Sequence, residues 1–179
     1  MLRRLAVVGL VAVPAAVIVD RSLAASRGSA APEPLRMLVV VDAPIEVTWS
    51  VLADIRLQVE WMSEMTDLRV TTPGATGVGT RGEATVRIAG ISVTDPVEIT
   101  EFEPPHRYVI RHEGLFKGGR VIRLEAGAGN ATTVVRWEET LVPPLLPELG
   151  ALLQAPILRR IFQADLEHFK RLVETGCVD

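Results

Sequence analysis

Asp165 stands where an apolar side chain is expected. Over residues 149–174, Leu158, Ile161, Phe162, Leu166, Phe169, Leu172 and Val173 recur at helical spacing and share one face. Arg159, Arg160, Gln163, Glu167, Lys170, Arg171 and Glu174 lie opposite. Asp165 falls inside the apolar arc, so its carboxylate is predicted to face the layer beneath the helix. Loss of water there favours the neutral acid and raises the pKa. That suits a general acid or base, or a group that meets a polar atom of a ligand. The plainer alternative is a carboxylate held by a backbone N–H or an arginine.

Two strand patterns add further candidates. Alternation over residues 107–112 puts Tyr108, Ile110 and His112 on one face, and over 132–141 it groups Val135, Trp137, Glu139 and Leu141. If these faces point inward, Tyr108, His112 and Glu139 are sparse polar groups in apolar surroundings, the kind that orient a ligand. Trp137 reads as core or as a ring stacked on a ligand, and Phe162 and Phe169 extend the apolar wall from the helix. Phe116 sits among Gly114, Gly118 and Gly119, a loop that reads either as a hairpin connection or as an apolar-tipped lid.

Several chemistries find no support. His106, His112 and His168 follow no metal-ligand spacing, and no G-x-S-x-G elbow is present. Gly77-x-Gly79 lacks the third glycine and the helix of a dinucleotide fingerprint, and reads as a turn into a strand. The lone Cys177, near the terminus, reads as a free thiol rather than a nucleophile. No cofactor is called for. A net charge of −3, with only three Trp, one Tyr and four Phe, argues against a nucleic-acid partner.

The elements that must position these residues follow from period and punctuation. Residues 37–41 form a β-branched strand that ends at Asp42-Ala43-Pro44, with Asp42 placed as a cap. Ile45, Trp49, Leu52 and Ala53 recur at helical spacing, with Trp49 in the core. A second short helix is predicted over 57–63, where Trp61 and Met62 close against the sheet. Strands are predicted over 80–88, 91–102, 107–112, 120–125 and 132–141, and the order reads as one strand, two short helices, these five strands and one long helix. Helices segregated from an antiparallel sheet define α+β. The apolar, proline-rich stretch 141–153 is either a contact surface or the buried entry to the last helix.

The run Val39 to Trp49 (VVVDAPIEVTW), then Val51-Leu52-Ala53-Asp54 and Glu60-Trp61-Met62, resembles the opening of the START/Bet v 1-like (SRPBCC) superfamily. Polyketide cyclase/dehydrase-type and coenzyme Q-binding proteins are among its members. Gly77 to Arg81 and the terminal Asp165-Leu166-x-x-Phe169-Lys170-x-Leu172-Val173-Glu174 fit as well. The resemblance covers residues 36–175. It implies a helix-grip fold, a curved antiparallel sheet wrapped around the long C-terminal helix, with a cavity for a lipid, polyketide, quinone or sterol-like ligand. It implies no catalytic residue. The leading expectation is therefore a binder or carrier of a hydrophobic small molecule. A cyclase/dehydratase acting on a polyketide-like substrate, and a membrane-attached interaction module without a ligand, are the alternatives.

Residues 1–25 read as a separate segment. Arg3 and Arg4 precede fifteen uncharged residues from Leu5 to Val19, a run that fits an N-terminal membrane anchor if it extends to Ala25, or a secretory signal cleaved near Ala24, with a buried helix of the domain itself as the plainer alternative. Residues 26–35 read as a linker. Neither a side of the membrane nor an oligomeric state is legible.

Overall fold

A computed structural model describes residues 2–28, 30, 32–88 and 90–176, with side chains from residue 15 onward. Cys177 lies outside the described residues. The chain runs α1 (Leu2–Arg27), β1 (Leu35–Val41), α2 (Ile45–Ala53), a single 3-10 turn (Ile55–Leu57), α3 (Gln58–Trp61), β2 (Met65–Val70), β3 (Arg81–Ile88), β4 (Ile91–Glu103), β5 (Arg107–His112), β6 (Lys117–Ala126), β7 (Thr133–Val142) and α4 (Pro147–Thr175). All seven strands join one antiparallel sheet in the order β1-β7-β6-β5-β4-β3-β2. This is the α+β helix-grip architecture that the resemblance implies.

Strand alternation decides which side chains enter the core. In β1, Leu35, Met37, Val39 and Val41 are buried while the residues between them are exposed. A sheet with one covered face imposes this pattern, because a slip of one residue would turn the apolar set into water. In β7, Thr133, Val135, Trp137 and Glu139 point inward by the same rule. β2 is the strand that no sequence pattern located, since only Met65 in it is fully buried.

α4 lies along β1 and β7. Its apolar face buries Leu158, Phe162, Leu166 and Phe169. Part of its polar face also serves the sheet. β1 is an edge strand, and α4 satisfies its free backbone groups. Gln163 Nε2 donates to Leu38 O at 3.0 Å and Lys170 Nζ to Val40 O at 2.6 Å, while Glu174 Oε1 accepts from Asp42 N at 2.6 Å. Covering the edge in this way removes a template for pairing with another chain.

Asp42 does not cap α2. Pro44 occupies the N-cap without a side-chain hydrogen bond, and the Asp42 amide is used by Glu174 instead. The proline-rich entry to α4 is not buried either, since Leu145, Leu152 and Leu153 are all more than half exposed.

The N-terminal segment departs most from its expectation. α1 continues to Arg27, past the expected boundary at residue 25, and its C-terminal part packs on the start of α4. Leu146, the N-cap of α4, makes no side-chain cap. Asp20 supplies one from outside, because its Oδ1 accepts the amides of Glu148 and Leu149 at 2.9 Å each. A carboxylate at a helix N-terminus satisfies orphan donors and opposes the helix dipole. Arg27 pairs with Glu148 beside it. Among the described residues, no helix is long and apolar enough to cross a membrane, so the expectation of a spanning helix finds no support.

Candidate functional site

The sheet and the first half of α4 do not close on each other. Between them lies a cavity of about 370 Å³. β3 contributes Ala84, Val86 and Ile88, β4 contributes Ile91, Val93, Asp95 and Val97, and β5 contributes Ile110 and His112. Arg120, Glu139 and Leu141 line it from β6 and β7. Gln154, Ile157, Leu158 and Phe162 of α4 form the opposite wall, with Gln58, Met62, Glu64 and Met65 at one end and Phe116 from the β5–β6 loop. The lining is dominated by aliphatic side chains, and its volume lies in the range of small-molecule sites.

The polar lining is organised around Glu139. This fully buried carboxylate accepts from His112 Nε2 at 2.8 Å, Arg120 Nε at 3.0 Å and Trp137 Nε1 at 2.7 Å. Burial alone would push its pKa up, but the Arg120 guanidinium and His112 hold it down at about 2. Because Glu139 is therefore ionised, Nε2 of His112 is the donor. Nδ1 of the same ring faces Asp95 Oδ2 at 3.8 Å. Arg120 also lies over the Trp137 ring, 4.4 Å from its centroid, and donates to Gln58 Oε1 at 3.4 Å. The buried Arg120 and Glu139 charges thus partner each other, which a buried ion pair requires.

Asp95 also fixes the loop that carries Phe116. Its Oδ1 accepts the Leu115 amide at 2.7 Å. Gly114 makes this approach possible, since a Cβ there would come within 1.8 Å of that oxygen. The loop is a hairpin connection tied to β4, with Phe116 turned into the cavity.

A second polar element sits beside Gln58 and Met62. Glu64 lies in the turn after α3 and is buried against Asp165 of α4. Burial, reinforced by the Asp165 carboxyl beside it, raises the Glu64 pKa to about 8. This shift favours the protonated form of Glu64.

Of the eight residues singled out in the sequence, His112, Glu139, Phe116 and Phe162 line the cavity. Asp165 does not. It is fully buried as expected, but its Oδ1 accepts Ser63 N and Oγ, both at 2.9 Å, so it sits one layer behind the wall. Tyr108 lies in the core, where Phe102 packs edge-on against it and Gln58 Nε2 donates to its hydroxyl at 3.3 Å. Burial pushes the phenol pKa up, so it stays protonated. Trp137 and Phe169 belong to the closed core, where both pack on Trp61.

Gln58, Glu64, Asp95 and Arg120 were not anticipated. Two of them carried a signal. Asp95 is in phase with Val93 and Val97 on β4, and Arg120 with Ile122 and Leu124 on β6, so each is a charge on an inward face. Glu64 sits in a turn, where no period applies.

A curved antiparallel sheet gripping a long C-terminal helix, with a mostly aliphatic cavity between them, defines the helix-grip class. More specifically, the chain belongs to the polyketide cyclase / dehydrase and lipid transport family, whose model matches residues 35–174. No curated protein matches the chain. Among solved structures, TTHA0849 from Thermus thermophilus is 18% identical with a TM-score of 0.65, over 80% of this chain and 98% of that one. DR_A0006 from Deinococcus radiodurans is 20% identical with a TM-score of 0.60, over 80% and 98%. The di-domain ARO/CYC BexL from the BE-7585A biosynthetic pathway is 15% identical with a TM-score of 0.64, over 80% of this chain and 48% of that one. At these identities the likeness is one of fold.

Proposed function

We propose that the protein binds and carries a hydrophobic small molecule, of the lipid, polyketide, quinone or sterol-like kind, in the cavity beneath α4. The observation that carries this reading is the cavity itself, about 370 Å³ walled largely by aliphatic side chains, with its polar groups gathered at defined points. Apolar ligand surface removed from water there contributes about 25 cal/mol per Å². The polar points then select orientation. A cavity filled by the chain's own side chains would favour a module without a ligand, and the open space under α4 supports the binder instead.

Native mass spectrometry of the full chain purified from its own host, with lipid extraction alongside, tests the reading. A stoichiometric apolar molecule is expected. Val86→Trp, which places an indole in the cavity, is expected to abolish its retention. Retention undiminished by that substitution would place the ligand elsewhere and sink the proposal.

A second reading is a cyclase or dehydratase. Its support is the pairing of an oriented imidazole, His112 on Glu139, with a neutral carboxylic acid, Glu64, in one cavity. Such groups can serve as base and acid. Conversion of a linear polyketide-like substrate by the wild type, lost in both His112→Ala and Glu64→Gln, would favour it.

Association with a membrane through residues 1–25 is part of the proposal, with cleavage near Ala24 as the alternative. Its support is the uncharged run from Leu5 to Val19. N-terminal sequencing of the protein from membrane and soluble fractions of its host distinguishes the two.

A further inference from the structure

Glu64 and Asp165 are about a hundred residues apart in the chain and meet in the interior. Glu64 is 5% exposed and Asp165 is fully buried. Glu64 Oε2 and Asp165 Oδ2 meet no hydrogen-bond donor from the protein. Among the described residues neither carboxyl forms an ion pair, and Arg120, the cation that acts on Glu64 from a distance, is already paired with Glu139. Two carboxylates packed together without a counter-ion do not both ionise. A proton on one of them supplies the missing donor.

The hydrogen bonds decide which carboxyl holds it. Asp165 Oδ1 is already engaged by two donors, Ser63 N and Oγ. Glu64 receives none from a side chain and lines the cavity. We infer that the Glu64–Asp165 pair retains one proton at neutral pH and serves as the second polar anchor of the cavity, one that takes a neutral carbonyl or hydroxyl oxygen of an otherwise apolar ligand.

The inference rests on the cavity being a ligand site, and it narrows the ligand class. Around the cavity, Arg120 and Glu139 neutralise each other, Asp95 faces His112, and Asp165 lies behind Glu64, held by Ser63. Among the described residues that line the cavity, no cation is left over to meet an acid head group. A ketone or alcohol therefore fits this lining, and a fatty carboxylate does not.

The test uses the full chain and two neutral probes. Prodan is a naphthyl ketone whose emission moves to the red when its carbonyl accepts a hydrogen bond. 2-Dimethylaminonaphthalene has the same ring system without the carbonyl. For wild type, bound Prodan is expected to show red-shifted emission, and to lose both that shift and about tenfold in affinity as pH rises through about 8, the worth of one hydrogen bond. The ring without the carbonyl should bind alike across the range. In Glu64→Gln the pH dependence should disappear. In Asp165→Asn its midpoint should fall, because the neighbouring charge is gone. Prodan binding that ignores pH in wild type, or a pH dependence retained in Glu64→Gln, would overturn the inference. If neither probe enters, the cavity reading fails, and infrared spectroscopy then decides the pair directly. A protonated-carboxyl band at neutral pH that is missing from Glu64→Gln supports it, and no such band in wild type refutes it.

Discussion

α4 meets the same sheet in two ways. Its C-terminal half is sealed, with Leu166 and Phe169 each 1% exposed. Phe169 packs on Trp61 at 5.2 Å, Trp61 on Trp137 at 6.0 Å, and Trp137 on Phe162 at 5.1 Å, ring centre to ring centre. Its N-terminal half spans the cavity, and Ile157 there is 60% exposed. The backbone plan does not differ between the halves, but side-chain volume does. Large rings fill the closed half. Facing the open half, β3 and β4 offer Ala84, Val86, Val93 and Val97, which are too short to reach the helix. The closed half stabilises the fold, and the open half is left free to bind.

Substitutions sharpen or break that contrast. Phe169→Ala, in the closed half, should cost about 4 kcal/mol in urea denaturation through lost burial and an unfilled hole. Val93→Ala, on the cavity wall, should cost about 1 kcal/mol or less, since little packed volume is lost. Equal costs would mean that the cavity wall is as tightly packed as the core.

The polar cluster should rank next. Glu139→Gln leaves Arg120 buried without its counter-charge, an expected loss of about 3 kcal/mol. Glu139 has its pKa lowered from 4.5 to about 2 in the fold, so its contribution is present above about 4.5 and disappears as pH falls towards about 2. Acid titration followed by circular dichroism should show wild type losing stability over that window, and Glu139→Gln should show a flatter profile there.

Glu64 acts in the opposite direction. Its pKa is raised from 4.5 to about 8, so the folded state binds the extra proton and stability falls as pH rises between those values. Glu64→Gln should remove that slope, and above about 8 it should be the more stable protein, by an amount of the order of 1 kcal/mol or more. Guanidinium melts at several pH values check it. The smallest effect belongs to the start of α4. Asp20→Ala removes its external cap and should cost about 1 kcal/mol. It should also raise amide exchange at Glu148 and Leu149 while leaving Phe169 and its neighbours protected.

Much of the fold was legible because it rests on period. Alternation over 107–112 and 132–141 placed Ile110, Val135 and Trp137 in the core, and helical spacing placed Phe162, Leu166 and Phe169. The candidate site was legible only where period reaches it. His112 and Glu139 were found because each shares a strand face with apolar residues. Asp95 and Arg120 carried the same signal, yet single charges within apolar runs were passed over. β2 was missed because one buried residue makes no pattern.

Taken alone, the amino-acid sequence determined which residues turn inward, since alternation and helical spacing are properties of the local backbone. It also placed a carboxylate, Asp165, on the buried face of α4. Tertiary structure decided what that carboxylate would meet. Glu64 reaches Asp165 from a turn about a hundred residues earlier, and Asp20 reaches the amides of Glu148 and Leu149 from a different helix. The distance between α4 and β3 decides whether Ala84 and Val86 border a core or a cavity. These are long-range juxtapositions, set by how whole elements pack, and no local period encodes them.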